Sequence, residues 1–451
     1  MKRPKQRLAT VVKRRLFLLN CCDMTTYAFA DILTRAENAA AQFRYDDALT
    51  FYNQLLTATD PNSADPVEQG SRYKAYAEQG RILKDLNRSA EAEAIYERYG
   101  QEAGPGRAAI DSLVEIGNLA VYRGDYAAAL ERQQQALQLS NEYSYDKGRA
   151  GALGGLGLIY QRWGRAEDAV HSLQQSLELY EKTADRYQQA RTLNRLGVAY
   201  HEMGAIDKAI RAYERAYSLA TRAGEQGMAT AILALNNLGE AYQGLFAMDK
   251  ALEQHRKALE LAATVPFPFT SDLYRNLGVD LLALGDIDNG IAHLYRALAA
   301  AEESDEPEIE LQVLYSLAMA ELERDQLDVA ADHVDLLQQK AEAAKAQGAL
   351  ASAYYARGAL ARRRGEDRLA IQAWQQALFL AHETGQRFLI WNTHCELGQL
   401  ADDADLCQVH CRIASGVIHQ IADPIEDDEL RQRFLNDSKV KMILEHAAGL
   451  W

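Results

Sequence analysis

Cysteine and proline are both scarce in this chain of 451 residues. The five cysteines leave the long middle of the chain empty, which excludes a disulfide framework and favours a reducing, cytoplasmic location. They are Cys21, Cys22, Cys395, Cys407 and Cys411. The eight prolines leave long stretches rich in Ala, Leu, Glu, Gln and Arg uninterrupted, and this composition favours helix throughout. No apolar run reaches the roughly 18 residues that a membrane-spanning helix needs, so we expect no span.

Positive charge is also in short supply, since 49 Lys and Arg face 64 Asp and Glu, for a formal net charge of −15. Seven of the positive charges lie within the first 23 residues. They are Lys2, Arg3, Lys5, Arg7, Lys13, Arg14 and Arg15. The rest of the chain is therefore strongly acidic, which disfavours nucleic acid as a partner and favours basic proteins or peptides.

We expect residues 1–24 to be a disordered basic tail. Its apolar part, Leu16-Phe17-Leu18-Leu19, is shorter than the core of a secretory signal. Met24 offers a second point at which translation could begin. An export signal or a lipid anchor at the neighbouring cysteines is the alternative.

A small residue recurs at steps of 39 to 42 residues along most of the chain. The aligned positions are Gly117, Gly157, Gly197, Gly239, Gly278, Ala318, Gly358 and Gly398. Twelve positions later a second small residue follows, at Ala129, Ala169, Ala209, Ala251, Gly290, Ala330 and Ala370. Seven positions beyond it stand Ala136, Ser176, Ala216, Ala258, Ala297, Leu337 and Ala377. Between these two series lies a larger residue, such as Leu173, Tyr213, Leu294 or Trp374.

This spacing predicts repeats of two antiparallel helices joined by a tight turn. In Leu156-Gly157-x-x-Tyr160, residues three positions apart overlie one another on one helical face. The glycine lets a second helix approach closely, and Ala169 and Ser176 are the small contact points on that helix. A single hairpin cannot bury its apolar face alone, so neighbouring hairpins must stack.

The segments Leu196-Gly197-Val198-Ala199-Tyr200 and Leu238-Gly239-Glu240-Ala241-Tyr242 resemble tetratricopeptide repeats. The resemblance covers roughly residues 30–420 and is strongest over 110–300. The step of about 40 residues looks like the longer-helix variety found in kinesin light chains, in the LGN adaptor and in bacterial regulators. It implies an all-α, right-handed superhelical solenoid of about nine to ten antiparallel hairpins. HEAT and armadillo repeats share the period but lack this pattern of small and large residues.

The repeats become irregular toward both ends of the chain. We expect degenerate hairpins over 25–104, a regular array over 105–422 and a capping helix within 423–451. The terminal segment around Asp423-Pro424 and Leu430-Arg431-Gln432-Arg433-Phe434 is similar to the ends of helical-repeat sensor regions in large bacterial regulators.

No sequence pattern typical of catalysis or nucleotide binding is present, so we predict a protein that is not an enzyme and has no cofactor. The glycine cluster at Gly151, Gly154, Gly155 and Gly157 lies inside a predicted helix and lacks the Lys-Ser or Lys-Thr of a phosphate loop. Close helix packing is the better interpretation.

A group of His and Cys residues near the C-terminus allows two interpretations. The group is His394, Cys395, Cys407, His410 and Cys411, all within one predicted hairpin. Zinc prefers four such ligands at close spacing. Free cysteine is also a common small core residue, and core packing is the interpretation we favour.

The resemblance implies that certain first-helix positions face the concave groove, where a partner would bind. Here these positions carry Asn118, Asn194, His201, Asn236, Asn237, Arg275 and Asn276. Asparagine offers both a donor and an acceptor, so a row of asparagines can hold the backbone of an extended peptide. The alternative is that these are ordinary polar residues of exposed helix faces.

Two classes of function follow from these observations. The first is an adaptor or scaffold that binds a peptide or protein in its groove. The second is a regulatory sensor array that controls a separately encoded effector. A basic patch at Arg357, Arg362, Arg363, Arg364 and Arg368 adds homodimerisation, or an acidic partner, as a further option.

Overall fold

The computed structural model describes residues 29–449, and within that range the regular structure is entirely helical. The first helix, α1, covers residues 29–41 in the described part. The following helices are α2 Tyr45–Ala58, α3 Pro66–Asp85, α4 Ser89–Ala103, α5 Arg107–Tyr122, α6 Tyr126–Glu142, α7 Asp146–Arg162, α8 Ala166–Lys182, α9 Arg186–Glu202, α10 Ile206–Arg222, α11 Met228–Gln243, α12 Met248–Ala262, α13 Thr270–Ala283, α14 Ile287–Glu303, α15 Pro307–Glu323, α16 Leu327–Ala343, α17 Gln347–Arg363, α18 Asp367–Thr384, α19 Arg387–Gln399, α20 Ala404–Ala422, α21 Asp428–Leu435 and α22 Ser438–Ala447. Consecutive helices up to α20 form ten hairpins in the described range, which confirms the predicted all-α repeat array.

The helices belong to two compact units. Unit 1 comprises the described residues up to Thr192 together with Val265–Pro268. Unit 2 comprises Leu193–Thr264 and Phe269 onward. The predicted tail, residues 1–24, lies outside the described residues, as do residues 25–28 and 450–451.

The contact between the two helices of each hairpin follows the small and large residues of the repeat. In the hairpins from α3–α4 to α17–α18, the large side chain that covers the aligned glycine lies 16 positions after it, whereas the side chain nearest to Gly398 in α19–α20 is that of His410. Tyr213 covers Gly197, and Trp374 covers Gly358, so closely that a Cβ at either glycine would overlap the ring. The two helices can approach this closely only because the glycine has no side chain.

In the described hairpins other than α19–α20, the turn has a residue in the left-handed backbone region, seven positions after the aligned small residue. Glycine fills this position in several hairpins, as at Gly164, Gly204, Gly285 and Gly365. In the α11–α12 hairpin the residue is Phe246, with φ 54°. A bulky residue in this region costs about 1–2 kcal/mol, so the ring of Phe246 must be held by contacts elsewhere.

The end of the chain departs from the predicted single capping helix, because it forms the two short helices α21 and α22. The carboxylate of Asp427 accepts a hydrogen bond from the Leu430 N–H at the start of α21. The carboxylate of Asp437 accepts from the N–H groups of Lys439 and Val440 at the start of α22. Asp at an N-cap favours the start of a new helix, and this second cap divides the segment in two.

Candidate functional site

The predicted asparagines of unit 2 lie on three successive first helices and bond to one another. Asn237 of α11 donates from Nδ2 to Oδ1 of Asn194 on α9, over 3.0 Å. Asn276 of α13 donates from Nδ2 to Oδ1 of Asn236 on α11, over 2.9 Å. Asn194 and Asn237 are half-buried, whereas Asn236 and Asn276 are buried. The row therefore has an accessible pair and a pair inside the packing between repeats.

The buried pair belongs to a network of charged groups between α11 and α13. Asn236 donates to Asp272 over 2.8 Å, and Arg275 donates to Asp272 and to Glu240 over 2.8 and 3.1 Å. Burial, together with the negative charge of Asp272, raises the pKa of Glu240, while Arg275 opposes this effect. Arg275, predicted to face the groove, is thus engaged by two carboxylates of its own unit.

At the centre of this network a buried histidine covers Gly239. His255 Nδ1 lies 2.5 Å from Oδ2 of Asp280, and both side chains are fully buried. Gln243 donates to the other oxygen of the same carboxylate over 2.7 Å. His255 was not among the sequence-predicted residues. The sequence could have identified His255 by its position, because it lies 16 residues after the aligned glycine, where other hairpins have Tyr, Leu or Trp.

Asn118 belongs to unit 1 and lies apart from this row. It is buried, and its Oδ1 is 3.4 Å from Nε2 of Gln133, the side chain that covers Gly117. Gln133 donates over 3.0 Å to the backbone oxygen of Val114. The side chain of Asn118 thus packs inside its own hairpin.

Unit 2 contains a cavity of about 900 Å³. It is lined by side chains of the first helices α9, α13, α15, α17 and α19, with contributions from the turn after α9, from the α11–α12 turn, from α20 and from α22. The lining is mainly aromatic and aliphatic, and includes Phe246, Leu282, Tyr315, Met319, Tyr355, Phe388, Leu389 and Ile421. Its polar members include His201, Glu202, Ser316, Glu323, Ser352, Arg387, Asn392 and Lys439.

His201 connects the cavity with the asparagine row. It follows Asn194 by two helical turns on α9, so both residues lie on the same face of that helix. Burial lowers the pKa of His201, which favours the neutral imidazole with one donor and one acceptor. A ligand that reaches from the cavity along α9 would therefore meet His201 and Asn194 in succession.

One wall of the cavity depends on the C-terminal segment of the chain. The carboxylate of Asp207, at the start of α10, accepts hydrogen bonds from the backbone N–H groups of Glu426 and Asp427 over 2.7 and 2.9 Å. Phe434 of α21 stacks on Phe246 with a centroid distance of 5.7 Å. It also meets the edge of Phe388 at 6.5 Å. The cavity-lining rings Phe246 and Phe388 are thus both supported by Phe434.

The histidine and cysteine group lies between α19 and α20. Nδ1 of His394 is 2.8 Å from Nδ1 of His410, and burial followed by the charge of His410 lowers the pKa of His394 to about 4. Burial also raises the pKa of the Cys395 thiol and raises that of Cys411 to about 11. Among residues 29–449 no group of three or more His, Cys, Asp or Glu has the geometry of a metal site. His394, Cys395 and Cys411 are buried, whereas Cys407 and His410 are half-buried.

The glycine cluster and the arginine patch both take part in packing and pairing within the repeats. Gly155 and Gly157 lie within α7 against Gln133 and Leu173, where a Cβ would overlap those side chains. Arg357 pairs with Asp335 on α16, 2.7 Å away.

In the part of the chain that the structure describes, no helix is both long enough and apolar enough to cross a membrane.

Comparison with known proteins gives a family match for part of the chain. Residues 107–182, 149–222 and 188–264 match the family model of the tetratricopeptide repeat. These ranges together span 107–264, so this part of the chain contains tetratricopeptide repeats. A search of curated protein sequences gave no match.

Three solved structures share the fold at low sequence identity. A Rap protein complexed with competence and sporulation factor is 14% identical, with 84% of this chain and 99% of that chain covered and a TM-score of 0.53. The apo form of the quorum sensor NprR from B. thuringiensis is 14% identical, with 78% and 98% covered and a TM-score of 0.53. A signal transduction ATPase with numerous domains, which has a tetratricopeptide repeat sensor and comes from Pyrococcus horikoshii, is 15% identical, with 77% and 54% covered and a TM-score of 0.55.

Proposed function

We propose that this tetratricopeptide-repeat chain is a non-catalytic binding protein that takes up a peptide, or a short segment of another protein, in the cavity of unit 2. The observation that carries the proposal is the 900 Å³ cavity lined by successive first helices. A concave, mainly apolar surface with a few polar groups is the usual form of a ligand site. Aromatic and aliphatic walls suit apolar side chains, and the polar members suit a peptide backbone.

The asparagine row extends this site along the repeats. Asn194 and Asn237 are half-buried, and the bond between them uses one donor of Asn237 and the acceptor of Asn194. Each amide has two donors and an acceptor, so the pair retains capacity for a ligand. An extended peptide backbone presents N–H and C=O groups that match these amides. His201 lies between the row and the cavity and would contact the same ligand.

A regulatory role is the second candidate, and the contact of the C-terminal segment with α10 and α12 favours it. Because that contact supports part of the cavity wall, a ligand in the cavity would alter the conformation of the C-terminal helices. Such a change could control a separately encoded effector. The structural neighbours include a quorum sensor and an ATPase with a repeat sensor, which is consistent with this role.

The test is to fill the cavity and to recover whatever the protein binds. Ser316→Trp places a large ring in the cavity lining, and Ser304→Trp, on the exposed end of α14, is the matched control. Each tagged, full-length protein is purified from its native cell, and the bound peptides and proteins are identified by mass spectrometry. We expect a ligand that the wild type and Ser304→Trp retain and Ser316→Trp loses. Equal recovery by all three would contradict binding in the cavity.

The same recovered ligand separates the adaptor from the sensor. A stable client protein that co-purifies in near-equal amount favours the adaptor. A small peptide whose addition changes the affinity for a second protein favours the sensor, because that result demonstrates coupling between two sites.

A further inference from the structure

The C-terminal segment of unit 2 contacts helices that precede it by 179 to 220 residues. We name residues 423–435 the clasp. Repeat proteins are held together chiefly by contacts between neighbouring repeats, so a contact across this distance is not required by the repeat itself. Ile425 and Leu430 of the clasp are buried in a cluster with Ile206, Ile210 and Leu245.

Phe246 indicates that the α11–α12 turn is adapted to the clasp. Several other hairpins have glycine at this position of the turn, where φ is positive, and Phe246 adopts the same conformation with φ 54°. Its ring stacks on Phe434, which is completely buried. Phe43, Asn87 and Asp325 also have positive φ at this position, so the conformation is not particular to this turn, but here it places an aromatic ring against the clasp.

The outer part of the clasp contact consists of exposed ion pairs. Arg433 lies 2.6 Å from Asp249, and Lys250 lies 3.1 Å from Glu429. Arg211 lies 3.2 Å from Glu426. Exposed pairs of this kind contribute little each and weaken with salt. The clasp thus has a buried centre, in which Asp207 accepts two backbone N–H bonds, and a rim of weak charged contacts. We expect such a short segment to open locally without unfolding the hairpins that it contacts, because the contacts within those hairpins stay in place.

The clasp touches the cavity through its aromatic residue. Phe434 contacts Phe246 and Phe388, which both line the cavity. Separation of Phe434 from these two rings would remove their support and allow the cavity lining to rearrange there.

We propose that the clasp opens while the hairpins of unit 2 remain folded, and that this opening controls the entry of ligands into the cavity. The second part rests on the proposed function, since it assigns a regulated entrance to the same site. The first part is independent of any ligand.

Hydrogen exchange of the full chain tests whether the clasp opens by itself. Phe246→Gly relieves the strained turn and removes the ring that meets Phe434, and Asp325→Gly makes the equivalent change in the α15–α16 turn, away from the clasp. We expect peptides from the clasp to exchange about tenfold faster in Phe246→Gly, while peptides from α11 and α12 do not accelerate. Asp325→Gly should leave clasp exchange unchanged. Exchange of the clasp at the same rate as the hairpin cores, in the wild type and in both variants, would overturn the proposal.

Thiol labelling tests whether clasp opening admits molecules to the cavity. A cysteine introduced as Ser316→Cys lines the cavity, and its reaction with N-ethylmaleimide is followed by mass spectrometry of the peptide that contains it. Arg433→Glu places a third carboxylate beside Asp249 and Glu429 and should speed labelling about fivefold. Adding Asp249→Arg should restore the slow rate. Equal labelling in all three proteins overturns control of entry. Since no ligand is used, this outcome is separate from a failure to recover a ligand with the wild-type protein.

Discussion

Two hairpins of unit 2 fill the same packing position in opposite ways. In α17–α18 the residue above the aligned glycine is Trp374, which is buried and donates from Nε1 to the backbone oxygen of Tyr355 over 3.1 Å. In α11–α12 the same position holds His255, paired with the buried Asp280. The repeat therefore requires a large side chain above the glycine but not an apolar one. The polar side chain of His255 is tolerated there because both ring nitrogens have hydrogen-bond partners, the Asp280 carboxylate and the backbone oxygen of Asn236.

The difference has an energetic consequence for each hairpin. The aromatic hairpin is stabilised by the burial of apolar surface, and truncation of its buried ring leaves a cavity that lowers stability. The polar hairpin is held by the buried hydrogen bond between His255 and Asp280, and its loss leaves a buried polar group without one of its partners. Truncation should therefore damage both, for different reasons, and conservative replacements should distinguish them.

Truncation of the aromatic side chain should have the largest effect. We expect Trp374→Ala to lower the free energy of unfolding of the α17–α18 region by about 3–5 kcal/mol, because it removes a fully buried ring. Native-state hydrogen exchange of α17 and α18 peptides measures this locally. Trp374→Leu, which reproduces Leu173 and Leu294 at the equivalent position, is the control and should lose less than half as much. An alanine variant as stable as the leucine variant would contradict apolar filling as the cause.

Removal of the polar side chain should come next. We expect His255→Ala to cost about 3 kcal/mol in the α11–α13 region, because Asp280 stays buried with Gln243 as its remaining partner in the network. His255→Gln is the matched control, since Gln133 fills this position in α5–α6 and an amide can still donate to the carboxylate. Chemical denaturation followed by circular dichroism compares the two. If His255→Gln and His255→Ala were equally destabilised, the bond to Asp280 would not be the cause.

Acid should change the stability of α19–α20 and of α11–α13 in opposite directions. The pKa of His394, lowered to about 4 by burial and by His410, means that the folded chain binds its proton less readily than the unfolded chain, whose histidines titrate near pH 6.5. Stability of α19–α20 is therefore complete above about pH 6.5 and falls toward pH 4, by about 2 kcal/mol. The raised pKa of Glu240 acts in the opposite direction, so its contribution to α11–α13 grows as pH falls.

His394→Gln isolates the acid effect from the titration of other groups. The measurement is the difference in unfolding free energy between variant and wild type at several pH values from 7 to 4. We expect the wild type to lose stability more steeply than the variant. Parallel curves would show that His394 does not carry the effect.

The sequence predicts those parts of the structure that depend on neighbouring repeats. The steps of about 40 residues between aligned small residues give the hairpins, and Asn194 and Asn237 meet because their helices are adjacent first helices. Side-chain contacts that the repeat pattern does not relate could not be predicted in this way. The pairing of His255 with Asp280 joins two hairpins through side chains that the repeat pattern treats as unrelated. The hydrogen bond from the backbone N–H of Asp427 to the Asp207 carboxylate joins residues 220 positions apart, which no local periodicity encodes.

Those contacts also change which asparagines are suited to a binding test. Replacement of Asn236 would remove hydrogen bonds to Asp272 and Asn276 inside the packing, so a loss of affinity would be confused with a loss of stability. Asn194 and Asn237 are half-buried and bond to each other, and their removal leaves the buried bonds of the network in place.

We therefore expect the double variant Asn194→Ala, Asn237→Ala to have the smallest effect on stability and a measurable effect on binding. We expect the unfolding free energy to change by no more than about 1 kcal/mol, the usual net contribution of one hydrogen bond, while affinity for the ligand recovered with the wild type falls about tenfold or more. Isothermal titration calorimetry measures the affinity, with Asn289→Ala on the exposed start of α14 as the control. Unchanged affinity in the double variant would restrict the site to the cavity. A fall in affinity at constant stability would extend the site from the cavity along the polar α9–α11 face, so that both the polar and the aromatic hairpins of unit 2 take part in binding.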